Sequence, residues 1–231
     1  MKSFSVRDNQ VFWGGYEGSY KGDFVSSIIV SLTKSYIGSV VLDAGAGDGA
    51  LIQCIRGQKN IDIAVGVDIA PKGGGVLKGD IRTLCFGDNV FDTVVCTDVL
   101  EHLNDEDLLS CIRELNRVLK PGGMLILTTL NQEDLTAETV RCPDCGCVFH
   151  RWGHQQAFSV TQLSNLFDDN GFRVSKIMHL NLHVISRLYK LGRLFYLFRL
   201  DKLFKRFIGS NYFDFDLLMI LTKSTEGLRK A

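Results

Sequence analysis

The sequence predicts an α/β fold built on a largely parallel sheet. Three observations predict it: apolar runs of strand length alternate with helical patterns, a buried run feeds directly into a glycine-rich turn, and acids stand where successive strands should end. Strands alternating with helices are the signature of βαβ units.

The strand-length runs are Val40–Asp43, Ile63–Asp68, Thr93–Thr97 and Met124–Thr129, with weaker ones at Phe172–His179 and Leu217–Thr222. Helical patterns lie at Phe24–Leu32, Ala50–Arg56, Asp105–Leu119 and Ser159–Asp169. The helix predicted from Asp105 has acids in its first turn and Arg117 and Lys120 in its last, which complements the helix dipole. Pro121-Gly122-Gly123 should stop it. Gly73-Gly74-Gly75 reads as a turn.

The chain of 231 residues can bury one sizeable core and is short for two enzyme domains, so one domain is expected over 1–231. Within it, 1–38 forms an N-terminal segment rich in glycine and aromatics, 141–154 a Cys/His loop, and 181–210 a basic helical insertion. Lys+Arg and Asp+Glu balance at 26 each, so no global field draws the chain to nucleic acid, and none is expected as a partner. The N-terminal stretch lacks the apolar core of a signal peptide, and no run is long enough to span a membrane. A cytoplasmic location is expected. Cys54, Cys85, Cys96 and Cys111 sit singly in apolar segments and read as buried thiols of a reducing compartment.

The run Val40-Val41-Leu42-Asp43-Ala44-Gly45-Ala46-Gly47-Asp48-Gly49 is a strand entering a tight turn and then a helix. Glycines let the backbone turn sharply and approach a ligand. The spacing is G-x-G-x-G, whereas a dinucleotide fingerprint is G-x-G-x-x-G. A diphosphate favours a helix N-terminus free of negative charge. Asp43 and Asp48 suit a cationic ligand better. Asp68 ends the next strand, where a carboxylate can accept both hydroxyls of a ribose, with Ile69 beside it to pack on a base. Asp80 can accept from an exocyclic amine, and Ile81 can supply apolar wall. The run Asp92 to Leu103 is a strand ending in polar residues, Thr97, Asp98, Glu101 and His102 among them.

The stretches VLDAGAGDG, VGVDIA, KGDIRTLCFGDNVFDTVVCTDVLEHL and RELNRVLKPGGMLILTT, from about residue 40 to 130, resemble the class I S-adenosylmethionine-dependent methyltransferases of the type 11 group. The resemblance implies a Rossmann-like sheet of seven strands with the last antiparallel, and helices on both faces. It implies that Asp43, Gly45, Ala46 and Gly47 face the methionine part of S-adenosylmethionine. Asp68 and Ile69 would hold ribose and adenine, Asp80 and Ile81 would flank the adenine, and Thr97 would meet the methionine end. The acceptor is expected to be a small molecule, a saccharide or lipid-linked intermediate being the narrower expectation. His102 is the candidate general base where the acceptor must lose a proton. Two rival readings remain: a non-catalytic S-adenosylmethionine-binding regulator, and an NAD-dependent oxidoreductase on the same fold.

The segment Cys142-Pro143-Asp144-Cys145-Gly146-Cys147-Val148-Phe149-His150-Arg151-Trp152-Gly153-His154 contains C-x2-C, a short gap and H-x3-H. Thiolates and imidazoles at short spacing are what tetrahedral zinc takes. The gap is too short for a DNA-reading finger, which has about twelve residues there. A disulfide, a redox pair and free thiols compete with zinc. The expected ligands are Cys142, Cys145, His150 and His154, with Cys147 able to replace a histidine. Four protein ligands would make the zinc structural, in a knuckle-like loop beyond the strand Met124–Thr129. The run FHRWGHQQAFS also resembles a segment of bacterial members of the methyltransferase group. Arg151, Trp152, Gln155 and Gln156 are candidates to touch the acceptor.

Phe12, Trp13, Tyr16 and Tyr20 make the N-terminal segment a candidate lid over the cofactor, or a short helix whose aromatics pack on the sheet. His183–Ile208 carries Arg187, Lys190, Arg193, Arg199, Lys202, Lys205 and Arg206 among apolar residues at helical spacing. That pattern fits peripheral contact with an anionic membrane, or a helix packed on the domain or on a dimer partner.

Overall fold

The computed structural model describes residues 6–15, 22–181 and 216–225. Its elements in chain order are α1 (Val6–Gly15), α2 (Gly22–Thr33), β1 (Val40–Ala44), α3 (Ala50–Arg56), β2 (Ile63–Asp68), β3 (Val76–Lys78) and β4 (Phe91–Thr97). Then come α4 (Asp105–Val118), β5 (Leu119–Leu130), β6 (Thr139–Arg141), β7 (Val148–His150), α5 (Val160–Asp169), β8 (Phe172–Leu180) and β9 (Asp216–Lys223).

Seven strands form one sheet in the order β3-β2-β1-β4-β5-β9-β8. β1 pairs in parallel with β2 and β4, and β4 with β5. β9 runs antiparallel between β5 and β8. The order reverses at β1 and β4, which is where an open α/β sheet forms its ligand crevice, beyond the carboxyl ends of the strands.

The two sheet faces follow from alternation along the strands. Leu42, Val94, Leu125 and Leu127 meet Leu108, Ile112 and Leu115 of α4 and Leu163 and Phe167 of α5. Their neighbours Val41, Val95 and Ile126 point the other way, to Ile28 and Ile29 of α2 and Ile52 and Ile55 of α3. The strands are apolar on both faces because helices cover both.

Local chemistry sets the helix ends. Asn104 caps α4 by accepting from the Asp107 amide, ahead of three acids in the first turn. Ser159 and Gln162 form a reciprocal capping box on α5. α4 stops at Val118, so Lys120 lies beyond it, contrary to the expected last turn. Leu119 turns extended there and pairs with Phe91, and Pro121-Gly122-Gly123 falls inside the run of β5.

α1 falls in the N-terminal segment read as lid or helix, whereas the sequence does not anticipate the three-residue edge strand β3 or the β6–β7 hairpin, which carries the Cys/His segment. Cys96 and Cys111 are buried as expected, but Cys85 is exposed. Tyr16, Tyr20 and the basic stretch His183–Ile208 lie outside the described residues. No described helix is long and apolar enough to cross a membrane.

Candidate active site

The glycine turn leaves β1 at its carboxyl end. Gly45 and Gly47 both adopt positive φ, 87° and 55°. The amides of Gly45 and Ala46 donate to the Val67 carbonyl of β2 at 2.8 and 3.0 Å. The Lys72 amide donates to the Gly47 carbonyl at 3.1 Å, so the β2–β3 loop closes on the turn. Gly73 must be glycine for this: a Cβ there would lie 1.8 Å from the Asp48 carbonyl oxygen. Gly45 has no room either, since its Cβ would meet Val99 at 2.3 Å.

Asp68, at the end of β2, accepts from the Gly47 amide at 2.8 Å and from the Ala70 amide at 2.8 Å. It joins the glycine turn to its own strand and leaves lone pairs toward the crevice. Asp43 is 1% exposed at the end of β1. Asp48 stands just before Gly49, the N-cap of α3, and accepts from the Ala50 amide at 3.1 Å. Ile69 follows Asp68, and Thr97 ends β4. Asp80 is tied to its own loop more firmly than expected. Arg82 donates to it from Nε at 2.9 Å and from its amide at 3.0 Å, and also pairs with Asp107 of α4. The Arg82 guanidinium holds the Asp80 carboxyl below its ordinary range. Ile81 is buried in the core beside it.

A second group of side chains lies past β4. Leu100–His102 form a 3-10 turn. His102 packs edge-on against Trp13 of α1, with ring centroids 4.8 Å apart. Phe12 approaches Gly153 of the hairpin segment, 3.7 Å from where a Cβ would stand. Burial first, and then the neighbouring His154 ring, push the His102 imidazole down to about 3. It is therefore neutral throughout the physiological range and suited to accept or orient a hydrogen bond. Glu101 is buried and accepts from Thr129 Oγ1 at 3.1 Å. The Gln155 and Gln156 amides donate to the Glu101 carbonyl at 2.7 and 3.1 Å, and Gln155 Nε2 reaches the His102 carbonyl at 2.6 Å. Gln156 binds Asp105, and Trp152 is 42% exposed.

The four expected zinc ligands fall into two groups. Cys142, Cys145 and Cys147 stand together at the hairpin tip, each offering a sulfur within 4.8 Å of the others. Cys145 and Cys147 Sγ are 3.1 Å apart, and hydrogen bonding with Cys147 draws the Cys145 thiol down to about 7. The Cys142 amide donates to the Cys147 carbonyl at 2.9 Å, which shapes the tip. His150 and His154 gather instead with Glu133, a residue the sequence reading did not single out. The reason is the hairpin register: Arg141 pairs with Val148, which puts Cys142 and Cys147 at the tip, while His150 pairs with Thr139 at its base.

A family model for the methyltransferase domain matches residues 29–177, and the chain belongs to that family. It carries the S-adenosylmethionine-dependent class I methyltransferase fold. A methyltransferase domain from Archaeoglobus fulgidus, described as S-adenosylmethionine-dependent, superposes with a TM-score of 0.61 at 17% identity, covering 92% of this chain and 98% of the other. One chain from the complex between the Haloferax volcanii Trm112 methyltransferase activator and a methyltransferase matches with a TM-score of 0.63 at 18% identity, covering 96% of this chain and 99% of that one. Among curated relatives, a tRNA (carboxymethyluridine(34)-5-O)-methyltransferase of Arabidopsis thaliana is 32% identical over 50% of this chain and 30% of its own length. A ubiquinone biosynthesis O-methyltransferase of Chromobacterium violaceum is 31% identical over 42% and 47%. An uncharacterized protein of Methanocaldococcus jannaschii is 32% identical over 44% and 45%. The chain spans less than half the length of these relatives.

Proposed function

We propose that this protein transfers a methyl group from S-adenosylmethionine to a nucleophile on a small-molecule acceptor, within the class of saccharides or lipid-linked intermediates. The observation that carries the reading is the closed glycine turn with Asp68 bonded across it and Asp43 buried beneath it. The donor set supports the cofactor: three carboxylates, Asp43, Asp48 and Asp68, surround a turn that a diphosphate would want neutral or positive. Their charge suits a sulfonium and an ammonium.

The cofactor supplies a methyl group already activated for in-line displacement, so alignment and exclusion of water are what remain for the protein. Gly45, Ala46 and Gly47 present bare backbone to the methionine part. Asp68 and Ile69 hold the ribose and one face of the adenine. Ile81 completes the apolar wall, and Asp80 keeps lone pairs for the adenine edge while Arg82 fixes its angle. Thr97 borders the methionine end. His102 accepts the hydrogen bond of the acceptor's hydroxyl or amine and sets its approach. Trp13 on His102 and Phe12 beside Gly153 support a lid formed by the N-terminal segment. Cys142, Cys145 and Cys147 would hold a zinc ion through three thiolates, which would stiffen the hairpin tip.

The relatives include a ubiquinone biosynthesis O-methyltransferase and a tRNA methyltransferase, so the test covers both classes. The test is a panel of saccharide, lipid-linked, quinol and tRNA acceptors with radiolabelled S-adenosylmethionine. Methyl transfer to a small acceptor is the expected result, and transfer to tRNA alone would overturn the acceptor class. Binding without transfer to any class would favour a regulator.

A further inference from the structure

Glu133, His150 and His154 form a compact cluster that the hairpin thiols do not use. Glu133 lies just past β5, His150 ends β7, and His154 follows one tight turn later, where Gly153 adopts φ 72°. Each offers one ligand-type atom within 4.8 Å of the other two. His154 Nδ1 is 2.5 Å from one oxygen of Glu133, and His150 Nε2 is 3.6 Å from the other. The two imidazoles stack with centroids 4.6 Å apart.

Burial decides what this cluster is for. His150 is 1% exposed, and its Nε2 is buried without a hydrogen-bond partner while facing the Glu133 carboxylate. Leaving a nitrogen unsatisfied inside a protein is costly, and an ion bound there is one recognised explanation. Two imidazoles and a carboxylate on one side of an ion are the ligand set of an open site, with coordination positions left for water or substrate.

We propose that Glu133, His150 and His154 bind a divalent transition-metal ion beside the acceptor pocket. The ion is separate from the zinc assigned to the three thiols. A ring nitrogen of His154 also lies within 4.8 Å of both Glu101 and His102, so the cluster abuts the end of β4. The open coordination position then faces the acceptor and takes one of its oxygens, a role that rests on the methyl-transfer reading. Ion capture at His150 Nε2 requires its proton on Nδ1. The 3.2 Å bond from the His154 amide to Nδ1 must then open. Binding therefore leaves a second mark, faster exchange of the His154 amide.

The experiment uses the full chain, stripped with a chelator and titrated with Co²⁺ in the absence of cofactor. The variant Cys142→Ser/Cys145→Ser/Cys147→Ser should retain one Co²⁺ whose spectrum lacks thiolate-to-cobalt charge-transfer bands. Adding Glu133→Gln should weaken that binding by more than about tenfold, in line with losses at metal sites. In the chain with its cysteines intact, Glu133→Gln or His154→Gln alone should lower the stoichiometry by one, which covers the case of a triple variant that does not fold. No Co²⁺ in the folded triple variant, or a stoichiometry unchanged by both Glu133→Gln and His154→Gln, overturns the site. S-adenosylmethionine binding by the same variants is measured separately, so loss of the metal and failure of the methyltransferase reading are distinguishable.

Discussion

Gly45→Ala is the perturbation with the clearest physical account. Gly45 has φ 87°, where an L-residue with a Cβ pays about 1–2 kcal/mol. The added methyl would stand 2.3 Å from Val99 Cγ2, and overpacking of that kind costs about 1–3 kcal/mol. The sum is about 2–5 kcal/mol of stability, read by urea denaturation with unchanged slope. Val99→Ala alone removes two methyl groups of a partly buried side chain and costs at most about 1.6 kcal/mol, at about 0.8 per buried group. In the double variant the clash disappears and the backbone strain stays. The cycle should therefore show a favourable coupling of about 1–3 kcal/mol. Additive costs, or a Gly45→Ala variant within about 0.5 kcal/mol of the parent, would refute the packing of Val99 on the turn.

Asp80 carries a pH prediction. Its folded pKa lies below its ordinary value of 3.8, chiefly through the Arg82 side chain, so its contribution is full above that value and is lost as pH falls through the folded pKa. Arg82→Met should flatten this acid limb of the stability curve, measured by denaturation from pH 2 to 6. Ser159→Ala removes half of the α5 capping box and should cost about 1 kcal/mol in thermal or urea unfolding, whereas Ser159→Asp should restore most of it. Trp13→Ala removes an edge contact on His102 worth about 0.5–1.5 kcal/mol beyond area. It should lower stability by about that much and also raise the apparent acceptor KM. An effect on stability alone would argue for simple packing.

The parts of this fold that the sequence states openly are those decided locally. Val40 to Ala44 reads as buried strand because its neighbours on both faces are apolar. α5 is announced by Ser159 and Gln162, three residues apart, as a capping box requires. What escapes a linear reading depends on register. β3 is three residues long at the sheet edge, with Leu77 and Lys78 exposed, so its pattern has no burial to impose periodicity. Counting spacing along 142–154 joins thiols to imidazoles. The hairpin pairing separates them and delivers Glu133 from a different loop. The sole linear sign of Glu133 is an acid shortly after a buried strand, which is common at any strand end. Asp80 looks free for a ligand until Arg82 folds back on it. His102 keeps its expected place beyond β4, but its burial against Trp13 and His154, which sets its protonation, is a property of packing alone.

The central claim is that the turn at 43–49 and Asp68 form a site for S-adenosylmethionine. Its most direct test is calorimetric titration of the parent protein and Asp68→Ala with S-adenosylmethionine, S-adenosylhomocysteine and NADH. The account predicts one-to-one binding of the first two by the parent and none of NADH. Asp68→Ala loses hydrogen bonds to a charged group, each worth about 1.5–3 kcal/mol, and should bind at least about tenfold more weakly. Binding of NADH in preference, or unchanged affinity in Asp68→Ala, would contradict it.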